Sequence, residues 1–522
     1  MYDSLTATYA PSVGVALASI VVFALLVRWK RSSKSAPKSL PLPPGPKRLP
    51  ILGNLLQLPQ VRPWEEYQKM SQVYGDIMYL EALGQPIILL NSLSRATEIY
   101  DKRAVTFSDR PYLPVLDIME MNWSFGLMQY GPEWRKHRRP FHQLVSGSVL
   151  PKSYPIFNEE TLVLLRKLRD APCGFKGHIQ HFFGAIIMRM SYGFDDTEKN
   201  KELIHDAEIL MSAFADAALP GRYIVNNLPF LRYIPSWFPG AGWKRFCRYV
   251  ATVNQKVLYD SFEDVKKDLR NGVRSAYPSM ATTLLDEMPE EDAPERRELE
   301  SIARISCASG YAAGADTTVS SATGLLLVLA MHPEVQKRAQ IEVDGATGGK
   351  RLPLMSDREK LPYVNALVKE LGRWYTVVPL GLAHVAAEDA EYDGYLIPKG
   401  TFVMTNSWSI LHDPKIYENP MEFNPDRFLK DGQLDPSIPD PTTSGAFGYG
   451  RRVCPGRALS GETLFLMAAS VLATFDVLPP KDEKTGLPVY LELETLNSVI
   501  ASPLPFKCDI RIRSGECASI LQ

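Results

Sequence analysis

Cysteine is scarce in this chain: six residues in 522, at positions 173, 247, 307, 454, 508 and 517, with no C-x-x-C pair. That spacing excludes a disulfide framework and fits reduced thiols in a cytosol-facing protein. Histidine is equally sparse, with eight residues and no tract. Neither sign of charge dominates: 58 Lys and Arg stand against 59 Asp and Glu, a formal net charge of −1. No bulk electrostatic case for nucleic acid exists at that balance. There is no internal repeat and no second domain-sized shift in composition. Gly345-Ala-Thr-Gly-Gly-Lys350 approaches a phosphate loop, but it is one residue short and Arg351 stands where Ser or Thr is required, so it reads as a turn between helices.

What is present begins with a long uncharged stretch. Residues 4–27 carry no charge and are followed by Arg28, Lys30, Arg31, Lys34 and Lys38. About 20 apolar residues span a bilayer. A cleaved signal peptide would carry its positive charge before the apolar run, not after it. Residues 1–27 are therefore expected to be a transmembrane anchor, with the bulk of the chain on the cytosolic side. Residues 28–46 form a basic, proline-rich linker ending in Pro41-Leu-Pro-Pro-Gly-Pro46, a stiff non-helical spacer. Asn122-Trp123-Ser124 matches a glycosylation sequon, which goes unused in the cytosol.

The chain is 45% apolar, enough for a large core, and residues 47–522 carry most of it. Their pattern is mostly helical with short strand-like pieces, an early hairpin over 75–81 and 85–91 among them. Residues 274–297 read as a polar surface connection. Trp134 and Arg138 lie four apart on one helix face, where an indole N–H and a guanidinium make an anchor for a carboxylate. Residues 213–242 mix aromatics with prolines, which suits membrane contact, a substrate channel or core packing equally well.

A long apolar helix is expected over 302–331, stopping at His332-Pro333. Inside it, Ala313-Gly314-Ala315-Asp316-Thr317-Thr318 places poor helix formers and an acid in a greasy context. Local conflicts of that kind accompany functional sites. Glu370 and Arg373 share a helix face, and Arg427 sits in an aromatic, proline-bound loop; an Arg–Glu–Arg triad is one arrangement of these three, which spacing alone does not decide. The stretch Phe447-Gly-Tyr-Gly450-Arg451-Arg452-Val453-Cys454-Pro-Gly456-Arg457 puts one cysteine in a glycine-rich loop, between basic residues and before an apolar helix. Cations and a helix N-terminus lower a thiol pKa and make a metal ligand of it.

Four separated motifs together resemble the cytochrome P-450 (haem-thiolate) monooxygenases of the microsomal fungal type. These are F-x-x-G-x-R-x-C-x-G at Phe447 to Gly456, A-G-x-D-T-T at Ala313 to Thr318, E-x-x-R at Glu370 and Arg373 with Arg427 downstream, and W-x-x-x-R at Trp134 and Arg138. The resemblance implies a mainly α fold with small β-sheets (α+β), with haem between the long helix and the cysteine-loop helix, and a catalytic domain over 47–522. It implies haem b (iron protoporphyrin IX) with Cys454 as axial thiolate, favouring O–O cleavage. Gly450 and Gly456 would let backbone approach sulfur and porphyrin, and Phe447 would shield the sulfur. Trp134, Arg138, Arg452 and His384 would hold the propionates. Asp316 and Thr317 would relay protons. Glu370, Arg373 and Arg427 would form a structural triad.

The implied activity is insertion of one oxygen atom from O2 into a hydrophobic small molecule, a terpenoid-like secondary metabolite in the first instance, with fatty acids or aromatics as alternatives. No flavin or nicotinamide fingerprint is present, so electrons are expected from a separate NADPH-cytochrome P-450 reductase, with cytochrome b5 as a further donor. Arg451, Lys136 and Arg139 are candidates for its docking face. The expected setting is the endoplasmic reticulum membrane, single-pass. A haem-thiolate isomerase or dehydratase needing no reductase is the alternative enzyme class. The intact Asp316-Thr317 pair favours oxygen activation, and it weighs against a non-catalytic haem sensor.

Overall fold

A computed structural model describes residues 40–195, 197–219 and 221–521. The anchor expected over 1–27 and the greater part of the 28–46 linker lie outside the described residues. The linker's end is not a free spacer. The Tyr79 N–H donates to the Pro44 carbonyl and the Leu396 N–H to the Pro41 carbonyl, both at 2.8 Å. Gly45 permits this docking, because a Cβ there would lie 2.0 Å from the Tyr79 carbonyl oxygen.

The expected hairpin forms from β1 (Ile77–Ala82) and β2 (Gln85–Leu90). Leu83 and Gly84 turn it with φ of 50° and 76°, the two left-handed residues that a tight hairpin turn with the native strand twist requires. β2 pairs in parallel with β4 (Phe402–Thr405), and β4 pairs antiparallel with β3 (His384–Val385), giving a four-stranded sheet ordered β1-β2-β4-β3. The other sheets among the described residues are two-stranded.

Helices make up the rest of the body. Those that build the site are α1 (Pro132–Val145), α2 (Tyr154–Asp170), α3 (Phe175–Tyr192), α4 (Thr197–Ala218), α5 (Arg296–Met331), α6 (Pro362–Trp374) and α7 (Arg457–Thr474). α5 runs 36 residues and starts six residues before the expected point, inside the stretch read as a surface connection. That stretch also contains a short helix, Met280–Asp286, started by a Ser279–Thr282 capping box. α5 ends where expected: His332, preceding proline, leaves the helical region at φ −125°, ψ 72°.

By length and composition α5 could cross a membrane, yet 71% of its apolar window is buried within the protein. Its small residues explain that burial. A Cβ at Gly310 would lie 2.7 Å from Phe141 of α1, at Gly314 3.1 Å from Ile187 of α3, and at Gly324 2.7 Å from Tyr375. The residues that weaken α5 as an isolated helix therefore let its neighbours approach. The largest hydrophobic core joins α2, α3, the C-terminal half of α5, α6 and α7.

Behind that core Glu370, Arg373 and Arg427 close into one cluster. Arg373 donates to both Glu370 oxygens at 2.7 Å, and Arg427 Nε to both at 3.1 and 3.0 Å. Glu370 and Arg373 are fully buried. Arg373 also donates to the carbonyls of Leu411, Pro420 and Glu422, so the pair fixes the loop before Arg427. Removing one partner leaves uncompensated charge inside, at a cost of about 3–5 kcal/mol. Glu370→Ala should therefore lower unfolding free energy by about that amount in a urea titration, and a loss under 1 kcal/mol would contradict the role given to this cluster.

Candidate functional site

The cysteine loop closes on itself before α7 begins. The Cys454 N–H donates to the Phe447 carbonyl at 2.8 Å, and the Val453 N–H to that of Gly450 at 3.2 Å. Cys454 is exposed at its surface, yet protein surrounds it closely enough that burial pushes its thiol pKa up. A side chain with both properties faces an interior space. The Gly456 N–H, Arg138 and Arg457 act on the thiol in the opposite direction, the arrangement that favours a thiolate. Gly456 lies beside the sulfur: a Cβ there would be 3.8 Å from Sγ. Gly450 also meets a requirement set within the chain. At φ +57° its missing Cβ would fall 2.1 Å from the Tyr100 carbonyl oxygen, so this glycine seats the loop on the preceding chain.

α5 packs close to the cysteine loop. Ala313 is exposed although residues 306–311 before it and 318–320 after it are buried, and Asp316 and Thr317 are half-buried. The helix does not break there. Thr317 Oγ1 donates to the Ala313 carbonyl one turn back, at 3.2 Å. Thr318 donates to Ser460 at 3.2 Å, and the Ser460 N–H donates to the Gly456 carbonyl at 2.9 Å. α5 and α7 are thus tied within a turn of the cysteine loop. Burial raises the Asp316 carboxyl pKa, with Lys176 acting weakly against it.

The rim of the space carries three arginines. Arg452 donates to the carbonyls of Ser108 (2.8 Å), Phe125 (3.3 Å) and Met128 (2.7 Å). Arg110, absent from the sequence-based candidates, donates to Gly126 (3.1 Å), Leu382 and Ala383 (both 2.8 Å). Arg138 donates to the Val453 carbonyl. Arg138 and Arg452 flank the Trp134 ring at 5.6 and 4.7 Å. Burial, with mutual repulsion adding to it, pushes Arg110 down to about 10 and Arg452 to about 9. These guanidiniums donate to neutral carbonyls. Asp109, the acid that acts on Arg452, is engaged by the backbone N–H groups of Arg110 at 3.2 Å and Tyr130 at 2.8 Å. The buried Trp134 Nε1–H lacks an acceptor. His384 belongs to this group: its Nδ1 meets the Phe107 carbonyl at 2.6 Å, and burial, then Arg110, hold its pKa well below 6.5.

A concentration of buried positive charge and an unused indole donor, on the rim of a space that a thiol faces, fits a flat dianionic group with a metal at its centre. Two carboxylates would supply the missing counter-charge. Comparison with known proteins agrees. The model of the cytochrome P450 family matches residues 43–498. The chain belongs to the cytochrome P450 family. It is 51% identical to cytochrome P450 monooxygenase COX1 of Coprinopsis cinerea over 518 residues, 99% of this chain and 100% of that one. COX2 of the same fungus is 42% identical over 95% of this chain and 93% of its own. The monooxygenase eriA of Hericium erinaceus is 39% identical over 94% and 92%. The fold is the α+β cytochrome P450 fold, and the protein is a haem-thiolate monooxygenase of a family whose haem iron is ligated by a cysteine.

Arg110 escaped sequence reasoning because its partners are backbone carbonyls 16 and 272 positions away. The one local signal was an arginine directly before a proline, in Phe107-Ser-Asp-Arg110-Pro111.

His384 carries a pH consequence. Its folded pKa lies below the unfolded 6.5, so below pH 6.5 the unfolded chain binds the extra proton. Stability from this group is whole above 6.5 and declines as pH falls, by about 1.4 kcal/mol per pH unit. His384→Gln should flatten the acid limb of stability between pH 6.5 and 5 by about that slope; an unchanged limb would show that the histidine is not buried neutral.

Proposed function

We propose that the chain is a membrane-anchored monooxygenase that hydroxylates a hydrophobic, terpenoid-like small molecule, with electrons delivered from NADPH by a separate reductase. The observation that carries the reading is the convergence on the cysteine loop of α5, joined to α7 through Thr318 and Ser460, and of Arg138 and Arg452, which meet the Trp134 ring. When bound there, haem supplies reductive O2 activation and oxygen insertion. The protein residues do the rest. Arg110, Arg138, Arg452 and the Trp134 N–H hold the propionates, with His384 behind them. Phe447 covers the sulfur, and the Gly456 N–H stabilises its charge. Thr317 Oγ1 and the Asp316 carboxyl move protons toward the oxygen being activated. By the family resemblance, substrate would meet residues 113–125, the Phe214 region, 310–313, 377–382 and 497–500, which are mostly apolar and so favour a hydrophobic molecule.

Fungal members of the family are generally membrane-associated and draw electrons from a redox partner. The surface supports both in this chain. Ile224, Tyr233, Trp237 and Tyr249 are 52–80% exposed on one stretch, a pattern suited to a membrane interface. Arg139 and Arg451 are exposed, Arg451 donating to the neutral Tyr130 hydroxyl, whereas Lys136 is paired with two carboxylates, Glu298 at 2.5 Å and Glu133 at 3.0 Å. Arg139 and Arg451 are therefore the stronger candidates for docking an acidic reductase surface.

The reduced, CO-bound spectrum tests the centre. Wild-type protein should show the thiolate-type band, and Cys454→Ser should lose it; a retained band would overturn the ligand assignment. Trp134→Phe keeps the ring but removes the donor, and should lower haem retained on dialysis several-fold. Product formation should require NADPH, a reductase and O2; conversion without them would point to an isomerase or dehydratase. Arg139→Glu with Arg451→Glu should weaken reductase-driven turnover roughly tenfold and leave peroxide-driven turnover intact, because a rim charge reversal acts on association; equal loss of both would refute the docking face.

A further inference from the structure

Just past α6, one tyrosine ties three parts of the chain together. The buried Tyr375 ring sits in the gap that Gly324 leaves on α5, where a Cβ would lie 2.7 Å from it. Its hydroxyl stands 2.6 Å from Ser320 Oγ, one turn back on the same face of α5. Asp316 lies one further turn back on that face. The same hydroxyl donates to the Ala501 carbonyl at 2.6 Å. Ser320 Oγ is also within 3.2 Å of Ser502 Oγ. Burial raises the Tyr375 pKa, so the hydroxyl keeps its proton at neutral pH.

Residues 494–504 fold back on themselves. The Leu496 N–H donates to the Ser502 carbonyl at 2.9 Å, and the Leu504 N–H to that of Glu494 at 2.8 Å. The tip of this loop is held at Ala501 from both sides: its N–H donates to the Val377 carbonyl at 2.8 Å, and its carbonyl accepts from Tyr375. From Tyr375 the chain runs on to Leu382 and Ala383, whose carbonyls accept from Arg110. The segment 376–382 is therefore fixed at one end to α5 and at the other to a rim arginine. Together with the loop tip it presents Val377, Val378, Leu380, Val499 and Ile500, an apolar wall.

We propose that Tyr375 is a positioning residue for ligand shape: bonded to Ser320 and Ala501 at once, it sets where the wall of 376–382 and 497–501 stands relative to α5, and so which rigid molecules fit. The inference rests on the reading given above, in which 377–382 and 497–500 meet substrate. Apolar burial is non-directional, so packing alone leaves the loop tip free to slide along α5. Hydrogen bonds of defined length and angle remove that freedom. A displacement of about 1 Å in such a wall is enough to change how a bound molecule is oriented. Phenylalanine at 375 would fill the same gap beside Gly324 and hold neither Ser320 nor Ala501.

Two measurements on the haem-loaded full chain test the proposal, and neither needs turnover. The first is amide hydrogen exchange at Leu496, Ala501 and Ser502. The second is the ratio of the dissociation constants of 1-phenylimidazole and 4-phenylimidazole, two rigid haem ligands of different shape, read from the haem absorption band. Tyr375→Phe should speed exchange at the three amides by roughly fivefold, the effect of one lost hydrogen bond. It should shift the ratio by roughly threefold or more, with the reduced CO spectrum unchanged. Ser320→Ala keeps the Tyr375–Ala501 bond and should act in the same direction by less. Val377→Phe alters the wall directly and should shift the ratio by roughly tenfold. Tyr417→Phe is the control: it removes an equally buried hydroxyl bond, to the Pro439 carbonyl at 2.9 Å, and should move neither readout. Unchanged exchange in Tyr375→Phe would overturn the link. A ratio moved by Val377→Phe and not by Tyr375→Phe would overturn the positioning role, as would an equal shift in Tyr417→Phe. A ratio moved by neither wall variant would instead sink the reading that these segments meet substrate, while exchange would still decide the link.

Discussion

Three guanidinium groups placed inside a protein without a carboxylate are an expensive arrangement, since each buried ion carries a desolvation penalty of several kcal/mol. Here that arrangement organises the loops. Arg452 gathers the carbonyls of Ser108, Phe125 and Met128, and Arg110 gathers those of Gly126, Leu382 and Ala383. These loop segments are thus pinned to the same charges that are proposed above to meet the propionates. On that proposal a dianion beside them would lower the cost of the charges that hold the loops.

The Glu370 cluster solves the opposite problem with the same chemistry. There the acid is internal to the chain, and both arginines are satisfied by it and by the carbonyls around them. Its product is position: it holds the loop over 420–427 against α6 together with the burial of Phe423 and the Trp374 N–H bond to the Met421 carbonyl. The two clusters divide the labour: one completed by the protein itself, the other completed by its ligand. Between them lies α7, whose N-terminus presents the cysteine and whose body fills the main core.

Much of this was legible in the sequence. The hairpin over 77–90, the stop of α5 at His332-Pro333 and the cysteine loop each have a local cause: a turn pair, a proline, a glycine-rich run. The Glu370–Arg373 spacing was legible too, but Arg427 was joined to it only by a loop that spacing could not close. Arg110 was illegible because its partners are backbone groups brought in by tertiary folding. Gly450 was visible as a glycine, yet its reason, the Tyr100 carbonyl, lies 350 positions upstream. The aromatic stretch over 213–242 divides: Tyr223 packs against Trp243, while Tyr233 and Trp237 stand in solvent. Hydrophobicity alone does not sort those two outcomes, because an interface residue and a core residue have the same composition.

The docked end of the linker has a mechanical consequence. With Pro41 and Pro44 fixed to the chain at Leu396 and Tyr79, the leash from the proposed anchor to the body begins near residue 40 and not at residue 47. Thirteen residues at about 3.3–3.6 Å each reach at most about 45 Å. On the proposed anchoring, a pull from the bilayer would enter the body through two backbone hydrogen bonds on separate sheets, at Tyr79 and at Leu396, and not through a free proline spacer.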